Sequence, residues 1–353
     1  MSKRRKKKLN RRQQEIRRKR LKKRKRRRAI VIIIELIILC ILGTTAFALF
    51  KLGKMERTSL TNIKNNGLKQ TGYTNIALFG LDSRGKSLGK GNRTDTIMVA
   101  SINNETKKVK LISVYRDTML KQNGEHYDKA NAAYSVGGPE TAVNMLNENL
   151  DLDIQDYVSV NFLALADVID MVDGITVKMT DEEVVHMNNY CVETSKVTGK
   201  KYKKIEPAVA GTYKLNGVQA VSYARIRYTA GGDYKRTERQ RLVLEKTANK
   251  LKKQNLATIN KIIDKVMPEV STSFSTKEIL ALASGAFDFE LGETSGFPFD
   301  LETPDSVPGY SGSYVIPKGL EENVIKLHEF LFPDEEYTPT KTVTNISDTL
   351  INM

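Results

Sequence analysis

Tryptophan is absent from this 353-residue chain, and cysteine and histidine are scarce, with two and three copies. Cys40 lies in an apolar run and Cys191 in a distant polar stretch, so their positions do not predict a disulfide. His126, His186 and His328 are widely separated along the chain. Without a cluster of cysteine and histidine, the sequence predicts neither a disulfide-stabilised fold nor a zinc site.

Positive charge is concentrated at the start of the chain. Residues 1–28 contain 19 of the 57 lysine and arginine residues and one of the 41 acidic residues. The rest of the chain holds 38 basic and 40 acidic residues and is therefore nearly neutral. Such a region, without a helix-turn-helix pattern, does not favour nucleic-acid binding, and we expect no nucleic-acid partner. A DNA-binding regulator is kept as the less favoured alternative.

The run from residue 29 to residue 50 is apolar, with Glu35 as its only charged residue. At about 1.5 Å per residue, a helix over this run is long enough to cross the hydrocarbon core of a bilayer. We therefore expect an uncleaved transmembrane helix, with residues 1–28 in the cytoplasm and the remainder outside the cell. We expect residues 51–72 to be a linker, residues 73–337 a folded domain and residues 338–353 a loose tail.

Short apolar strands alternate with helical patterns through the predicted domain. We expect strands over 75–80, 96–102, 109–114 and 175–179, and helices over 139–149, 162–172, 256–266, 276–286 and 318–331. Residues 180–210 show no clear periodicity, and we expect an irregular insertion there. This alternation predicts an α/β (α+β) fold in which helices flank a mixed central sheet.

Arginines are unusually dense between residues 216 and 240. Alternation predicts a strand that places Tyr223, Arg225 and Arg227 on one face, followed by a glycine turn and a long helix. On that helix Arg236, Arg239 and Gln240 share a face. Guanidinium groups beside a helix N-terminus favour an anion, and a phosphate fits their bidentate geometry. The alternative is a solvated basic face with ordinary ion pairs.

Acidic and basic residues also surround the ends of the first predicted strands. Asp82 and Arg84 follow the first strand, and Arg93 and Asp95 precede the second. Two carboxylates without histidine or cysteine suit Mg²⁺, which retains waters and takes substrate oxygens as further ligands. Paired aspartate and arginine side chains that only position a loop are the alternative. Arg116 and Asp117 end the third strand, where ligand-facing residues collect in α/β folds.

These segments, in this order, resemble the LytR-CpsA-Psr family, whose members attach glycopolymers to the bacterial cell wall. The resemblance covers residues 75–241. The motifs that carry it are Leu78 to Arg84, Arg93 to Thr96, Ser113 to Thr118, Asn131, Gly137 and Gly138, Val172 to Gly174, and Tyr223 to Gln240. The basic start, the single predicted span and the external domain are also similar to that family.

The resemblance implies a membrane-anchored phosphotransferase. Such an enzyme takes a glycopolymer from a polyprenyl-pyrophosphate lipid, joins it to peptidoglycan through a phosphodiester and releases polyprenyl phosphate. The donor lipid, peptidoglycan and membrane lipids are therefore the expected partners. Teichoic acid, capsular polysaccharide and rhamnose polysaccharide all fit as the polymer. A hydrolase that uses water as the acceptor at the same site remains the alternative.

The resemblance also implies roles for individual residues. Asp82 and Asp95 match the carboxylates that bind Mg²⁺, or Mn²⁺ in its place. The pyrophosphate is expected to contact Arg84, Arg93, Arg225, Arg227, Arg236 and Gln240. Asp82, Arg116 and Asp117 are the expected catalytic residues, with Asp82 and Asp117 both open as the general base. Residues 162–172 and 242–244 could line an apolar slot for the lipid, although plain core packing explains most of them.

Overall fold

The computed structural model describes residues 56–83, 88–284 and 288–353. The predicted basic tail, the predicted membrane span and the first part of the predicted linker lie outside these residues. Within the described part, no helix combines the length and apolarity needed to cross a bilayer. The domain begins before the predicted boundary at residue 73, because Glu56–Arg57 already pairs with a strand of the sheet. The Thr61 and Lys64 amides also donate hydrogen bonds to the side chains of Glu140 and Asn144.

A mixed seven-stranded sheet forms the centre of the domain, as the sequence predicts. Its strands are β1 (Glu56–Arg57), β2 (Tyr73–Leu81), β3 (Thr94–Asn103), β4 (Lys108–Val114), β7 (Ile154–Asn161), β10 (Val270–Thr272) and β11 (Glu290–Phe297). Their order is β1-β10-β7-β2-β3-β4-β11. β3 is antiparallel to both β2 and β4, whereas β2 and β7, and β4 and β11, are parallel pairs.

Helices and three small sheets surround this sheet. The helices are α1 (Ala132–Leu150), α2 (Phe162–Met171), α3 (Asp181–Thr198), α4 (Gly217–Arg225), α5 (Gly232–Leu251), α6 (Leu256–Val266), α7 (Thr276–Ser284), α8 (Leu320–Leu331) and α9 (Lys341–Ile351). The two-stranded sheets pair β5 (Met119–Lys121) with β6 (Tyr127–Lys129), β8 (Ile175–Met179) with β9 (Gly211–Leu215), and β12 (Leu301–Glu302) with β13 (Ile316–Pro317).

The two faces of the sheet have different surroundings because successive side chains of a strand point in opposite directions. Phe79 and Val99 are buried in the main core with residues of α1, α8 and α9. Leu78, Met98 and Val158, on the other face, line a cavity. The same strands therefore complete the core on one side and build the candidate site on the other.

The prediction of an irregular insertion over residues 180–210 is wrong, because α3 occupies much of that range. Thr180 and Glu183 form a reciprocal capping box at its start. Val184, Met187 and Cys191 are buried along one side. Few apolar residues repeat along the helix, so its hydrophobic periodicity is weak and the cap was the clearer signal. Burial raises the pKa of the Cys191 thiol to about 11, so the thiol is not activated as a nucleophile.

The strand predicted through Tyr223 and Arg227 is also wrong. Residues Gly217–Arg225 are helical, and Asn216 caps this helix together with Gln219. Eight of its nine residues are buried, so no polar face marks the helical period. The alternating Tyr-Ala-Arg-Ile-Arg pattern imitates a strand across the helix C-terminus. Arg225 is therefore the last helical residue, and Arg227 lies in the loop that leads to α5.

The C-terminal residues are packed against the domain, so the prediction of a loose tail over 338–353 is wrong. In α9 the side chains of Val343, Ile346 and Leu350 are buried in the main core. Thr340 caps the helix and also donates backbone and hydroxyl hydrogen bonds to the buried Asp151 carboxylate. A helix with a polar exposed face resembles a solvated tail in the sequence, although one side of it is apolar.

Candidate functional site

The site begins at a bulge between β2 and β3. Gly80 lies opposite Thr96 and Leu81 lies opposite Thr94, which leaves Asp95 as an extra residue on β3. A bulge bends the strand and redirects the side chain of the extra residue. The backbone N–H of Asp82 donates to the Arg93 carbonyl at 3.1 Å, so the two segments stay together beyond the paired residues. Asp82 and Asp95 both line the cavity.

Arg116 connects the bulge to the end of β4. Its Nη1 donates to Asp95 Oδ1 at 2.5 Å, and its Nε lies 3.5 Å from Asp117 Oδ2. Lys129 Nζ lies 3.2 Å from the other oxygen of Asp117. Burial alone lowers the pKa of Arg116, but the carboxylates of Asp95, Asp117 and Asp233 raise it above its ordinary value. The guanidinium is thus held in place as a permanent cation.

The N-terminus of α5 supplies the opposite side. Gly231, with φ of 88°, starts the helix, and Asp233 follows in its first turn. Asp233 Oδ1 lies 2.9 Å from Arg236 Nη2 and 3.5 Å from Arg227 Nε. Burial, more than the neighbouring Arg116 and Arg227, lowers the pKa of Arg236, and burial raises the pKa of Asp233. The helix therefore carries a buried arginine whose charge is only partly balanced.

The bulge and the helix meet at one backbone carbonyl. Arg236 Nη2 and Gln240 Nε2 donate to the Asp95 carbonyl at 3.5 and 3.4 Å. Arg236 Nε and Gln240 Oε1 are buried atoms that make no hydrogen bond within the described structure, whereas Arg116 Nε has the ion pair with Asp117. Buried polar groups without partners are uncommon and suggest a missing ligand or water. The Arg236 N–H is suited to an anion.

Arg225 enters the site from the end of α4. Its Nη2 contacts Glu193 Oε2 and its Nη1 donates to Thr194 Oγ1, both at 3.0 Å. The guanidinium lies 4.8 Å from the centre of the Phe162 ring and 5.7 Å from that of Tyr190. These contacts from α2 and α3 fix the orientation of the side chain.

Together these elements enclose a cavity of about 490 Å³. Its charged and polar lining residues are Asp82, Arg93, Asp95, Asn161, Arg116, Arg225, Arg227, Arg236 and Gln240. Its apolar lining includes Leu78, Met98, Val158, Val160, Phe162, Leu165, Val221, Ala224, Val243 and Leu244. Such a cavity can hold a molecule that has an anionic group and a long apolar group.

The structure brings most of the predicted site residues together. Asp82, Asp95, Arg93, Arg116, Arg225, Arg227, Arg236 and Gln240 all line the cavity. Arg84 lies outside the described residues. Asp117 does not line the cavity and acts on it through Arg116. Of the predicted apolar segments, Phe162, Leu165, Val243 and Leu244 reach the cavity.

Arg239 is directed away from the cavity, although it follows the same sequence pattern as Arg236. Its Nε lies 2.9 Å from Glu183 Oε1, and its Nη groups donate to the Ile226 carbonyl and the Thr229 hydroxyl. Arg239 therefore does not share the cavity with Arg236 and Gln240, although the sequence places all three on one helix face. Glu183 belongs to the helix that the sequence analysis missed.

The sequence analysis did not identify three residues that contribute to the site, Tyr190, Glu193 and Thr194. All three lie on α3 and orient Arg225 or line the cavity. The capping box at Thr180 and Glu183 was the available signal for this helix.

The carboxylates fit a hard divalent cation. Asp82 and Asp95 both line the cavity and lie on segments joined by the Asp82–Arg93 backbone hydrogen bond, and both side chains offer oxygen ligands. In the part of the chain that the structure describes, no group of three or more acidic, histidine or cysteine side chains is arranged to hold a metal. Two carboxylates match Mg²⁺ better than zinc, because Mg²⁺ takes its other ligands from water and phosphate oxygens.

The fold and the cavity define an α/β protein with a cavity lined by both arginines and apolar side chains. Residues 44–293 match the LytR_cpsA_psr family, and the chain belongs to that family. This finding confirms the resemblance stated from the motifs.

Two curated relatives and one solved structure illustrate the similarity. Biofilm regulatory protein A of Streptococcus mutans is 31% identical over 254 residues, which are 68% of this chain and 60% of that protein. The polyisoprenyl-teichoic acid–peptidoglycan teichoic acid transferase TagU of Enterococcus faecalis is 29% identical over 70% of this chain and 78% of its own length. The crystal structure of protein gbs0355 from Streptococcus agalactiae has a TM-score of 0.61 and 27% identity. That alignment covers 79% of this chain and 94% of that protein. The chain thus spans less than two thirds of the first relative.

Proposed function

We propose that this protein transfers a glycopolymer from a polyprenyl-pyrophosphate lipid to peptidoglycan through a new phosphodiester bond. The observation that carries the proposal is a cavity lined both by five arginines, Arg93, Arg116, Arg225, Arg227 and Arg236, and by apolar side chains of β2, β3, α2 and α5. A lipid diphosphate has the same combination of charge and hydrocarbon. Membership of the family and similarity to TagU, a polyisoprenyl-teichoic acid–peptidoglycan teichoic acid transferase, support the same reaction.

The arginines have separate tasks in this reaction. Arg225, Arg227 and Arg236 bind the diphosphate from α4, the following loop and α5. Arg116 approaches from β4, on the side of the carboxylates. Positive groups fixed before the reaction stabilise the charge that develops on the departing lipid phosphate, and such stabilisation is a large part of phosphoryl-transfer catalysis. Arg93 and Gln240 complete the polar end, and Arg84 is placed there by its motif alone.

Asp82 and Asp95 hold the divalent cation, Mg²⁺ or Mn²⁺, in this proposal. When bound, the cation neutralises charge on the phosphate oxygens. Asp95 is also fixed by Arg116, so its carboxylate keeps one orientation. Because Asp82 lines the cavity and Asp117 does not, we assign proton removal from the acceptor hydroxyl to Asp82 and the positioning of Arg116 to Asp117.

We further propose that residues 29–50 anchor the protein, with residues 1–28 in the cytoplasm and the domain outside. The apolar run and the basic flank support this orientation. Lipid donor and peptidoglycan are both available at the outer surface of a cell membrane. A tether would raise their effective concentration at the site.

The test uses the full chain in detergent with Mg²⁺, radiolabelled lipid-linked polymer and purified peptidoglycan. We expect label to become covalently attached to the peptidoglycan, and Arg225→Ala to abolish most of the transfer. Lys246→Ala is a matched control because Lys246 lies on α5 but not at the cavity. Release of free polymer phosphate without attachment to peptidoglycan contradicts the transferase and supports the hydrolase.

A further inference from the structure

Three aromatic rings, one exposed and two half-buried, form a group beside the cavity. Tyr228 is 74% exposed, more than any other large hydrophobic residue in the described part of the chain. Its ring stacks on Tyr190, with 6.5 Å between centroids and an interplanar angle of 23°. The His186 ring lies on the same side at 6.3 Å. We call these residues the aromatic platform.

The aromatic platform continues the wall of the cavity. Tyr190 lines the cavity and lies 5.7 Å from the Arg225 guanidinium. Arg227 also lines the cavity, is 41% exposed and immediately precedes Tyr228 in the chain. The exposed Tyr228 is therefore connected to the cavity through Tyr190 and Arg227.

The chemistry of the aromatic platform suits a sugar. A pyranose ring has C–H groups on its faces and hydroxyl groups around its edge. A tyrosine ring offers an apolar face to the C–H groups of the sugar and a polar hydroxyl to its hydroxyl groups. An apolar surface with a few convergent polar groups is typical of small-molecule sites. Exposed tyrosine also loses little conformational entropy on binding, since only two side-chain torsions are fixed.

We propose that Tyr228, Tyr190 and His186 bind the sugar attached directly to the diphosphate of the lipid donor. This inference rests on the proposed function, because it assumes that the diphosphate lies at the arginines. With the lipid along the apolar wall, the covalently linked sugar must leave the cavity beside the diphosphate. Arg225 and Arg227 both line the cavity next to the aromatic platform, since Tyr190 lies 5.7 Å from the Arg225 guanidinium and Tyr228 follows Arg227 in the chain. The acceptor sugar of peptidoglycan is not covalently linked to the diphosphate, so no such link requires it to lie beside the aromatic platform.

Two lipids with the same polyprenyl chain test the proposal. One is polyprenyl pyrophosphate, and the other carries a single sugar on the pyrophosphate. Their affinities for the full-length protein in detergent are measured by calorimetry. We expect Tyr228→Ala to weaken binding of the sugar-bearing lipid about tenfold, the size of one stacking contact. Binding of the sugar-free lipid is expected to stay the same.

Two further variants separate stacking from general disturbance of the surface. Tyr228→Phe keeps the ring and is expected to retain most of the affinity for the sugar-bearing lipid. Val192→Ala changes an exposed side chain elsewhere on α3 and is expected to have no effect on either lipid.

The outcomes distinguish this inference from the proposed function. Equal weakening of both lipids by Tyr228→Ala, or no weakening of either, overturns the sugar subsite and leaves the transferase standing. An increased KM for peptidoglycan with unchanged donor affinity also overturns it, because the platform would then contact the acceptor. Failure of the unmodified protein to bind either lipid contradicts the proposed function itself.

Discussion

Arg116 donates a 2.5 Å hydrogen bond to Asp95, and this contact joins the end of β4 to the bulge of β3. The Asp95 carbonyl accepts hydrogen bonds from Arg236 and Gln240 on α5. Asp95 therefore contacts Arg116 through its carboxylate and α5 through its backbone carbonyl. A bulge suits this role because the extra residue is released from regular strand pairing.

Arg116 and Arg227 are expected to differ in their effect on stability. We expect Ala at either position to reduce transfer by at least about 100-fold, as for the loss of one group that stabilises the transition state. Arg116→Ala also leaves the largely buried Asp95 without its ion-pair partner and Asp117 with Lys129 alone, so the melting temperature should fall. Arg227 is half exposed and has one long ion pair, so its loss should change the melting temperature little.

Transfer kinetics and thermal unfolding of the two variants check this difference. Asp117→Asn is a useful companion, because it removes a partner of Arg116 that does not line the cavity. Normal transfer by Arg116→Ala would show that Arg116 takes no part in the reaction. An equally large drop in the melting temperature of Arg227→Ala would favour a structural role for that residue.

Arg239 and Gln240 are sequence neighbours that should behave as opposites. Arg239→Met leaves Glu183 with an unpaired, largely buried carboxylate, and we expect a loss of about 3 kcal/mol or more in unfolding free energy. Gln240→Ala removes an amide from the cavity and should weaken diphosphate binding about tenfold with little change in stability. Urea unfolding and calorimetric titration measure the two quantities. Weaker diphosphate binding by a folded Arg239→Met protein, with unchanged stability, would contradict this division.

Strands β2, β3 and β4 and most ligand-facing residues could be predicted from the sequence, because these buried strands are continuous apolar runs and Asp82, Arg93 and Arg116 lie near their ends. Strand β7, which pairs with β2, was not predicted, since polar residues interrupt its apolar ones. That Arg225 lies at the end of a helix could not be predicted, because α4 is buried almost completely and has no polar face. Glu183 and Glu193 were missed because α3 is polar along most of its length. The opposite directions of the Arg236 and Arg239 side chains could not be predicted either. Both residues share one helix face in the sequence pattern, and Arg239 turns away because it pairs with Glu183.

Asp82 should control the response to divalent cations. We expect Asp82→Asn to raise the Mg²⁺ concentration needed for half-maximal transfer at least about tenfold, because one of two carboxylate ligands becomes neutral. Asp305→Asn is the matched control, since Asp305 is exposed and does not line the cavity. Activity is measured over a Mg²⁺ series and repeated with Mn²⁺. An unchanged Mg²⁺ titration for Asp82→Asn excludes Asp82 as a cation ligand.

His328 should make the domain less stable in mild acid. Its Nε2 lies 3.0 Å from the Leu150 carbonyl, and its ring stacks on Tyr337 at 3.6 Å. Burial lowers its pKa below the ordinary value of 6.5, so the unfolded chain takes up a proton first as pH falls. This contribution to stability is complete above about pH 6.5 and is lost progressively below it.

The measurement is the free energy of unfolding in urea between pH 5.5 and 7.5. His328→Gln should remove part of the decrease in stability over this range, whatever its effect at pH 7.5. His126→Gln is the control, because it makes the same substitution at a histidine whose side chain is 67% exposed. An identical pH dependence for His328→Gln and the unmodified protein would contradict the assignment.

The C-terminal helix should contribute substantially to the stability of the domain. Ile346 is 2% exposed in the main core, whereas Ile351 on the same helix is 66% exposed. We expect Ile346→Ala to cost about 2–5 kcal/mol of unfolding free energy, through lost burial and the cavity left behind. Ile351→Ala should stay within about 0.5 kcal/mol of the unmodified protein, because its side chain already contacts water. Equal urea unfolding curves for the two variants would show that α9 is not part of the cooperative core.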